Sequence, residues 1–392
     1  MSDPLPSPGL YSIAAHRPFL AELATCVLSP SERDTDPLAL ARTTILLPTR
    51  RACRTMQDIF LQLSDGAPLV LPRLIPIGDI DEDEMLVAAE PVALLDADVP
   101  PAIPELRRRI LLARMLRDDD MCGVPDMPVD HAMELAGELG RLLDQVQTEG
   151  LDFTALETLV PDTYAIHWQE TLAFLRILTE RWPSVLSQEG AIDPAERRNR
   201  LLLARSEAWR RNPPADPIIA AGSTGSIPAT ADLLSTVATL PAGYVVLPGL
   251  DRVLDDAAWT ALDPGHPQFG LRQLLQRLEV ERSQVGEWPT AVPAHASGPA
   301  RERLLSEALR PATTTEAWRN ERGTVGADAL RGVIQIEAHE PHEEAGIIAL
   351  ALREVLEDEG RTGALITPDR DLARQVASIM GRWGVAIDDS AG

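Results

Sequence analysis

PIIAAGSTGSIPATADLLSTVATLPAGYVVLPG, residues 217–249, decides the fold. PIIAAG (217–222) is a short apolar run closed by glycine and reads as a buried strand. GSTGSIP is a glycine-containing turn, ATADLLSTVATL is the helix that follows, and YVVLPG (244–249) is the next strand. A strand, a helix and a second strand in that order form a βαβ unit, which requires a parallel sheet with right-handed crossovers.

Upstream, TTILLPT (43–49) is another short β-branched run bounded by polar residues, and it predicts a buried strand. A helix follows directly, with Ala52, Met56, Ile59, Phe60 and Leu63 on one face. LVLPRLIPIGD (69–79) reads as a strand and loop whose prolines push it to a sheet edge. From about Pro101 to Arg211 the pattern is helical: PELRRRILLARMLR, HAMELAGELGRLLDQVQ and HWQETLAFLRILTERWPSVL predict an inserted all-helical subdomain. Downstream, about 263–315 is expected to be helical but broken by the loop TAVPAHASGPA. A second α/β unit then begins. VIQIEA (333–338), GALIT (363–367) and VAI (385–387) are expected strands, with helices after the first two. Three short strands and two helices make an incomplete sheet, so the chain is expected to stop inside a domain.

Composition narrows the chemistry. The formal net charge is −24, so the broad basic footprint of a duplex-coating protein is missing. All 36 basic residues are arginine. Without a lysine there is no Gly-Lys-Ser/Thr phosphate loop and no Schiff-base chemistry. The three cysteines, Cys26, Cys53 and Cys122, form no Cys-x-x-Cys pair, which argues against a disulfide framework, a zinc ribbon or a complete iron–sulfur site. The first residues lack the basic and apolar regions of a signal peptide, and no apolar stretch reaches membrane-spanning length, so the expected location is the cytoplasm, with no membrane partner.

Four motifs have a functional and a plainer reading. LLPTRRA (46–52) runs from strand to helix through a turn that sets Thr49, Arg50 and Arg51 at the carboxyl end of a parallel strand, where ligands bind in such sheets. They are the candidate DNA-phosphate contacts; the alternative is a solvated basic turn. The GSTGS turn (222–226) offers backbone N–H groups to an anion, or simply needs small residues for packing; it is one residue short of a Gly-x-Ser-x-Gly elbow. HEPHEE (339–344) is not His-Glu-x-x-His, since Pro341 separates the histidines, and its acids fit a helix cap. DIDEDE (79–84) is a carboxylate run that lacks further ligands for Mg²⁺ and reads as solvated. No catalytic residue, cofactor or metal ligand is expected in this chain.

As an ordered set, LLPTRRA, IGDIDEDE, HWQETLAFLRILTERWP, IIAAGSTGSIPAT, VVLPGLD, HPQFGLRQLL, EALRPATTTEAW, ALITPDRDLARQVA and RWGVAIDDSAG resemble the alphaproteobacterial type of AddB, a subunit of the AddAB helicase–nuclease. The resemblance covers nearly the whole chain from about residue 10. It implies a RecA-like α/β fold: a first RecA-like part over 1–100, a helical insertion over 101–211, the return of the first domain with a connector over 212–315, and the start of a second RecA-like domain over 316–392. It implies an AddA-type partner that carries the working motor, single-stranded DNA within the complex, and repair of double-strand breaks by homologous recombination. It also implies a nuclease domain at the far C-terminus of the full-length family member, whose residues have no counterparts here. The phosphate-loop position falls near SIAAHRPFLAEL (12–23), where His16, Arg17 and Pro18 replace Gly-Lys-Thr; Gly222 and Ser223 stand where the Mg²⁺-binding Asp-Glu pair belongs. Both departures imply a degenerate motor. Only Thr49, Arg50 and Arg51 match a family position that touches single-stranded DNA. The competing expectation is an α/β enzyme that binds a nucleotide or phosphate metabolite on the GSTGS loop.

Overall fold

The computed structural model describes residues 5–28, 38–77, 99–117, 127–151, 177–289, 298–319, 326–358 and 360–388. The chain divides into two compact units, Met1–Ala329 and Leu330–Gly392.

The first unit opens with strand β1 (Gly9–Ile13) and helix α1 (Phe19–Val27). A single turn, α2 (Ala39–Arg42), precedes β2 (Thr44–Leu47), α3 (Arg50–Leu63) and β3 (Arg73–Pro76). Among the described residues four helices follow: α4 (Glu105–Arg117), α5 (Val129–Thr148), α6 (Trp182–Glu189) and α7 (Pro194–Arg211); the first half of the expected helix HWQETLAFLRILTERWPSVL lies outside the described residues. The chain then returns to the sheet through β4 (Ile218–Ala221), α8 (Pro228–Thr239) and β5 (Gly243–Pro248). It continues as α9 (Asp256–Thr260), α10 (Phe269–Arg277), the short β6 (Gly286–Glu287) and α11 (Gly298–Ala308).

All six strands belong to one parallel sheet in the order β3-β2-β4-β5-β1-β6. The fold is α/β of the RecA-like, parallel-sheet kind. The expected strands at 43–49, 217–222 and 244–249 lie in this one sheet, and the proline-bearing β3 lies at its edge, where a missing N–H costs no ladder bond. Strand β1 was not among the expected strands. GLYSI is polar at Ser12, yet that residue is buried, because its hydroxyl donates to the Leu247 carbonyl at 3.2 Å and accepts from the Leu250 N–H at 3.1 Å.

The strands read as unbroken apolar runs because both faces are covered. In β2, Ile45 and Leu47 join one core and Leu46 the other; in β5, Tyr244 and Val246 oppose Val245 and Leu247 in the same way. Helices α1 and α3 cover one face, while α7, α8 and α10 cover the other. The turn into β5 depends on Gly243: a Cβ there would lie 1.9 Å from the Val237 carbonyl oxygen. Helices α4 to α7 sit in sequence between β3 and β4, which flank β2 on opposite sides. Helices α4, α5 and α6 carry a third core of their own, built around Leu112, Leu116, Leu139, Leu143 and Trp182.

A buried polar knot ties these helices together. Asp193, at the head of α7, is wholly buried; it accepts from the Trp182 indole at 2.9 Å and the Gln147 amide at 2.8 Å, and pairs with Arg108 at 2.9 Å. Arg108 also reaches Asp144 at 2.9 Å and donates to the Gly140 carbonyl at 3.2 Å. Gly140 is a costly residue inside a 20-residue helix, and the Arg108 guanidinium packs over it, 3.7 Å from where a Cβ would stand, an ordinary contact distance.

The second unit is built on α12 (Pro341–Val355) and α13 (Arg370–Arg382), joined through Ala345, Ala349, Leu372, Val376, Ile379 and Met380. The expected strands at 333–338, 363–367 and 385–387 carry no ladder pairing among the described residues, which corrects that expectation. Strand composition specifies a surface suited to a sheet, and a strand forms only with a partner to bond. Ile334 and Ile366 are accordingly among the most exposed aliphatic residues.

Candidate functional site

In a parallel sheet the carboxyl ends of the strands open onto turns that precede helices, and ligand chemistry gathers there. Here the turns after β1, β2 and β4 converge. Gly222, the first residue past β4, adopts φ +79° and still bonds in the sheet, its N–H donating to the Val246 carbonyl at 3.0 Å. A Cβ at this position would stand 3.3 Å from the Phe19 ring and 3.5 Å from Pro48. Glycine at the expected Asp-Glu position thus lets the start of α1 and the turn after β2 close over the end of β4.

The turn after β1 is closed on itself. The Arg17 N–H donates to the Ala14 carbonyl at 3.0 Å, and Pro18, which caps α1, has no N–H to offer. The Arg17 side chain folds back onto Glu22 in the first turn of α1, with Nε at 2.7 Å and a terminal nitrogen at 2.5 Å from one carboxylate oxygen. Glu22 is wholly buried. His16 turns the other way and meets Glu302 of α11, Nδ1 to Oε2 at 2.7 Å. The His16 ring lies against Gly298, where a Cβ would come within 2.5 Å of it. A cleft of about 320 Å³ remains beside these pairs, lined by His16, Arg17, Arg252, Glu287, Trp288 and Glu302. Arg252 spends one terminal nitrogen on the carbonyls of Val285 and Gly286, at 2.5 and 2.8 Å.

Thr49, Arg50 and Arg51 sit at the carboxyl end of β2, where the sequence puts them. Thr49 caps α3, its hydroxyl oxygen accepting from the Ala52 N–H at 3.1 Å. Thr49 and Arg51 are exposed and Arg50 is half-buried. The three form a polar rim at a helix N-terminus, whose dipole favours an anion.

The GSTGS loop has a different environment. Gly225 adopts φ +63°, and a Cβ there would lie 2.9 Å from Leu274 of α10 and 3.3 Å from Leu234 of α8. Its N–H is used by the Ser223 hydroxyl at 3.2 Å. The small residues serve packing beneath α10, and Pro228 at the start of α8 removes another donor. HEPHEE forms a helix start in the second unit, with the Glu343 carboxylate accepting from the His339 backbone N–H at 2.9 Å. DIDEDE and Cys122 lie outside the described residues; Cys26 and Cys53 are buried in the sheet's core.

Sequence reading named His16, Arg17 and Pro18 but missed the two carboxylates that pair with His16 and Arg17. Glu22 was visible as an acid in the first turn of a helix. Glu302 stands 286 positions from His16 and carried no local signal. Among the described residues no helix is long and apolar enough to cross a membrane. No protein-family model matches the chain, and a search of curated proteins finds no match.

Proposed function

We propose that this chain is the helicase-like N-terminal portion of an AddB-type subunit, a non-catalytic scaffold and DNA-path module in a helicase–nuclease that processes double-strand breaks for homologous recombination. One observation carries the reading: the turn between β1 and α1, where a nucleotide-hydrolysing sheet cradles phosphate, is closed by the Arg17–Glu22 pair. A phosphate at a helix N-terminus needs free N–H donors and positive charge. Pro18 removes a donor, and Glu22 holds the Arg17 guanidinium in an ion pair, so that positive charge is already matched before a phosphate arrives. The parallel sheet interrupted by a helical block supports the same reading, as does the order of motifs along the chain.

In this proposal an AddA-type subunit supplies ATP hydrolysis, and Thr49, Arg50 and Arg51 line the path of single-stranded DNA. Reconstitution with the AddA-type subunit of the same organism tests it. The expected result is a heterodimer whose DNA-dependent ATPase disappears when the partner's phosphate-loop lysine is replaced and persists when Arg17→Ala and Glu22→Leu are combined in this chain. No heterodimer, or ATP hydrolysis by this chain alone, overturns the reading.

A further inference from the structure

We propose that the outward face of α4 is a docking surface for an acidic amphipathic helix of a protein partner. At 100° per residue, Leu106, Arg107, Ile110, Arg114 and Arg117 fall within one arc of about 100°. All five are exposed, Leu106 at 68% and Ile110 at 39%. The opposite arc packs into the core of the helical block.

Single exposed aliphatic residues are ordinary. Two of them one turn apart, with Arg117 farther along their line and Arg107 and Arg114 along one side, make the seam of a helix–helix contact in which neighbouring charges choose the partner. The chain carries −24 overall, whereas α4 has five arginines against one glutamate; four of the five are exposed, and Arg108 belongs to the buried knot. Charge complementarity therefore calls for an acidic partner. Arg107 already holds one carboxylate, Glu189 of α6, at 2.8 Å, which keeps its side chain extended at the edge of the face. The apolar residues are aliphatic rather than aromatic, so the face offers no platform for stacking bases, and a helix with leucine seam and glutamate flanks fits it better than a nucleic acid. The inference stands apart from the helicase-like reading.

The probe is a fluorescein-labelled peptide of about three heptads with leucine at a and d and glutamate at e and g; its own charges keep it monomeric. A counterpart carries lysine at e and g, and a labelled oligothymidylate serves as the nucleic-acid arm. Anisotropy with the full chain should show binding of the glutamate peptide and not of the lysine peptide, weakened roughly tenfold or more by Arg114→Glu with Arg117→Glu, and also by the uncharged change Leu106→Ser, while any binding of oligothymidylate is the same in wild type and variants. Circular dichroism keeps loss of folding apart from loss of binding. Equal affinity for both peptides, no binding of the glutamate peptide, or unchanged affinity in the variants overturns the proposal. Oligothymidylate binding lost in the same Arg114/Arg117 variant also overturns it, since the face would then serve nucleic acid.

Discussion

Arg17 reaches back over the first turn of α1 to Glu22 at 2.5 Å, and the carboxylate it meets is wholly shielded from water. Removing one partner of a buried ion pair costs about 3–5 kcal/mol, because the other charge stays behind uncompensated, whereas replacing both with apolar groups is far milder. Arg17→Ala is therefore expected to lower stability by several kcal/mol, and Arg17→Ala with Glu22→Leu to recover much of that loss. Urea unfolding of the three proteins gives the comparison. Mg·ATP titrated calorimetrically should bind none of them at micromolar concentration. Micromolar ATP binding by the unaltered chain would mean that the closed turn opens.

Thr49 and its two arginines separate capping from phosphate contact. Thr49→Ala should cost about 1 kcal/mol of stability through the lost bond to the Ala52 N–H. Arg50→Ala with Arg51→Ala, in the first turn of α3, should leave the protein folded by circular dichroism while weakening single-strand binding. Because the contact is with phosphates, the wild-type affinity should fall steeply with salt, and the double variant should show a shallower slope. Anisotropy with a labelled oligonucleotide across a salt series tests this; equal affinities and slopes would make the turn a solvated one.

Asp144 gives the helical block a pH signature. Burial raises its pKa above the ordinary carboxylate value, outweighing the opposing pull of Arg108. An acid with a raised folded-state pKa contributes stability that is complete below its unfolded pKa and is lost as pH rises through the folded one. Asp144→Asn should flatten the dependence of unfolding free energy on pH just above the normal aspartate range, with little loss at pH 7. Asp193→Asn is the contrasting change, because that carboxylate pairs with Arg108 and accepts from Trp182 and Gln147 with no access to water. It should destabilise the protein at pH 7. Chemical denaturation across pH distinguishes the two.

The sheet was legible where burial on both faces leaves an unbroken apolar run, as in TILL, IIAA and GYVVLP. It was not legible at GLYSI, since Ser12 becomes a core residue only through partners more than 230 positions away. The site divides in the same way. Thr49 as a helix cap is local chemistry, readable from a strand followed by Pro-Thr-Arg-Arg. The meaning of Gly225 is tertiary: the residue suits an anion loop or a packed turn equally until Leu274 arrives from α10. His16 paired with Glu302 belongs to that second kind. In the second unit, VIQIEA and GALIT have strand composition without a strand to pair with, so composition alone overstated the local structure.

Arg205, on α7, makes the last prediction. It is 96% shielded, its guanidinium lies 5.6 Å from the centre of the Trp209 ring, and burial pulls its pKa down to about 10. A base whose folded-state pKa is depressed binds fewer protons folded than unfolded, so its positive charge opposes folding at neutral pH and the penalty fades only as pH climbs past about 10. The cation–π contact offsets part of that cost. Replacing a buried charge by an apolar side chain of similar volume is often stabilising. Arg205→Met keeps the length and the contact with Trp209 while removing the charge, and should raise the unfolding free energy at pH 7 by roughly 1–3 kcal/mol. Thermal and urea unfolding of the variant decide the matter. A loss of more than about 1 kcal/mol would show that Arg205 holds an anionic partner in solution, and the charge would then be structural rather than a burden.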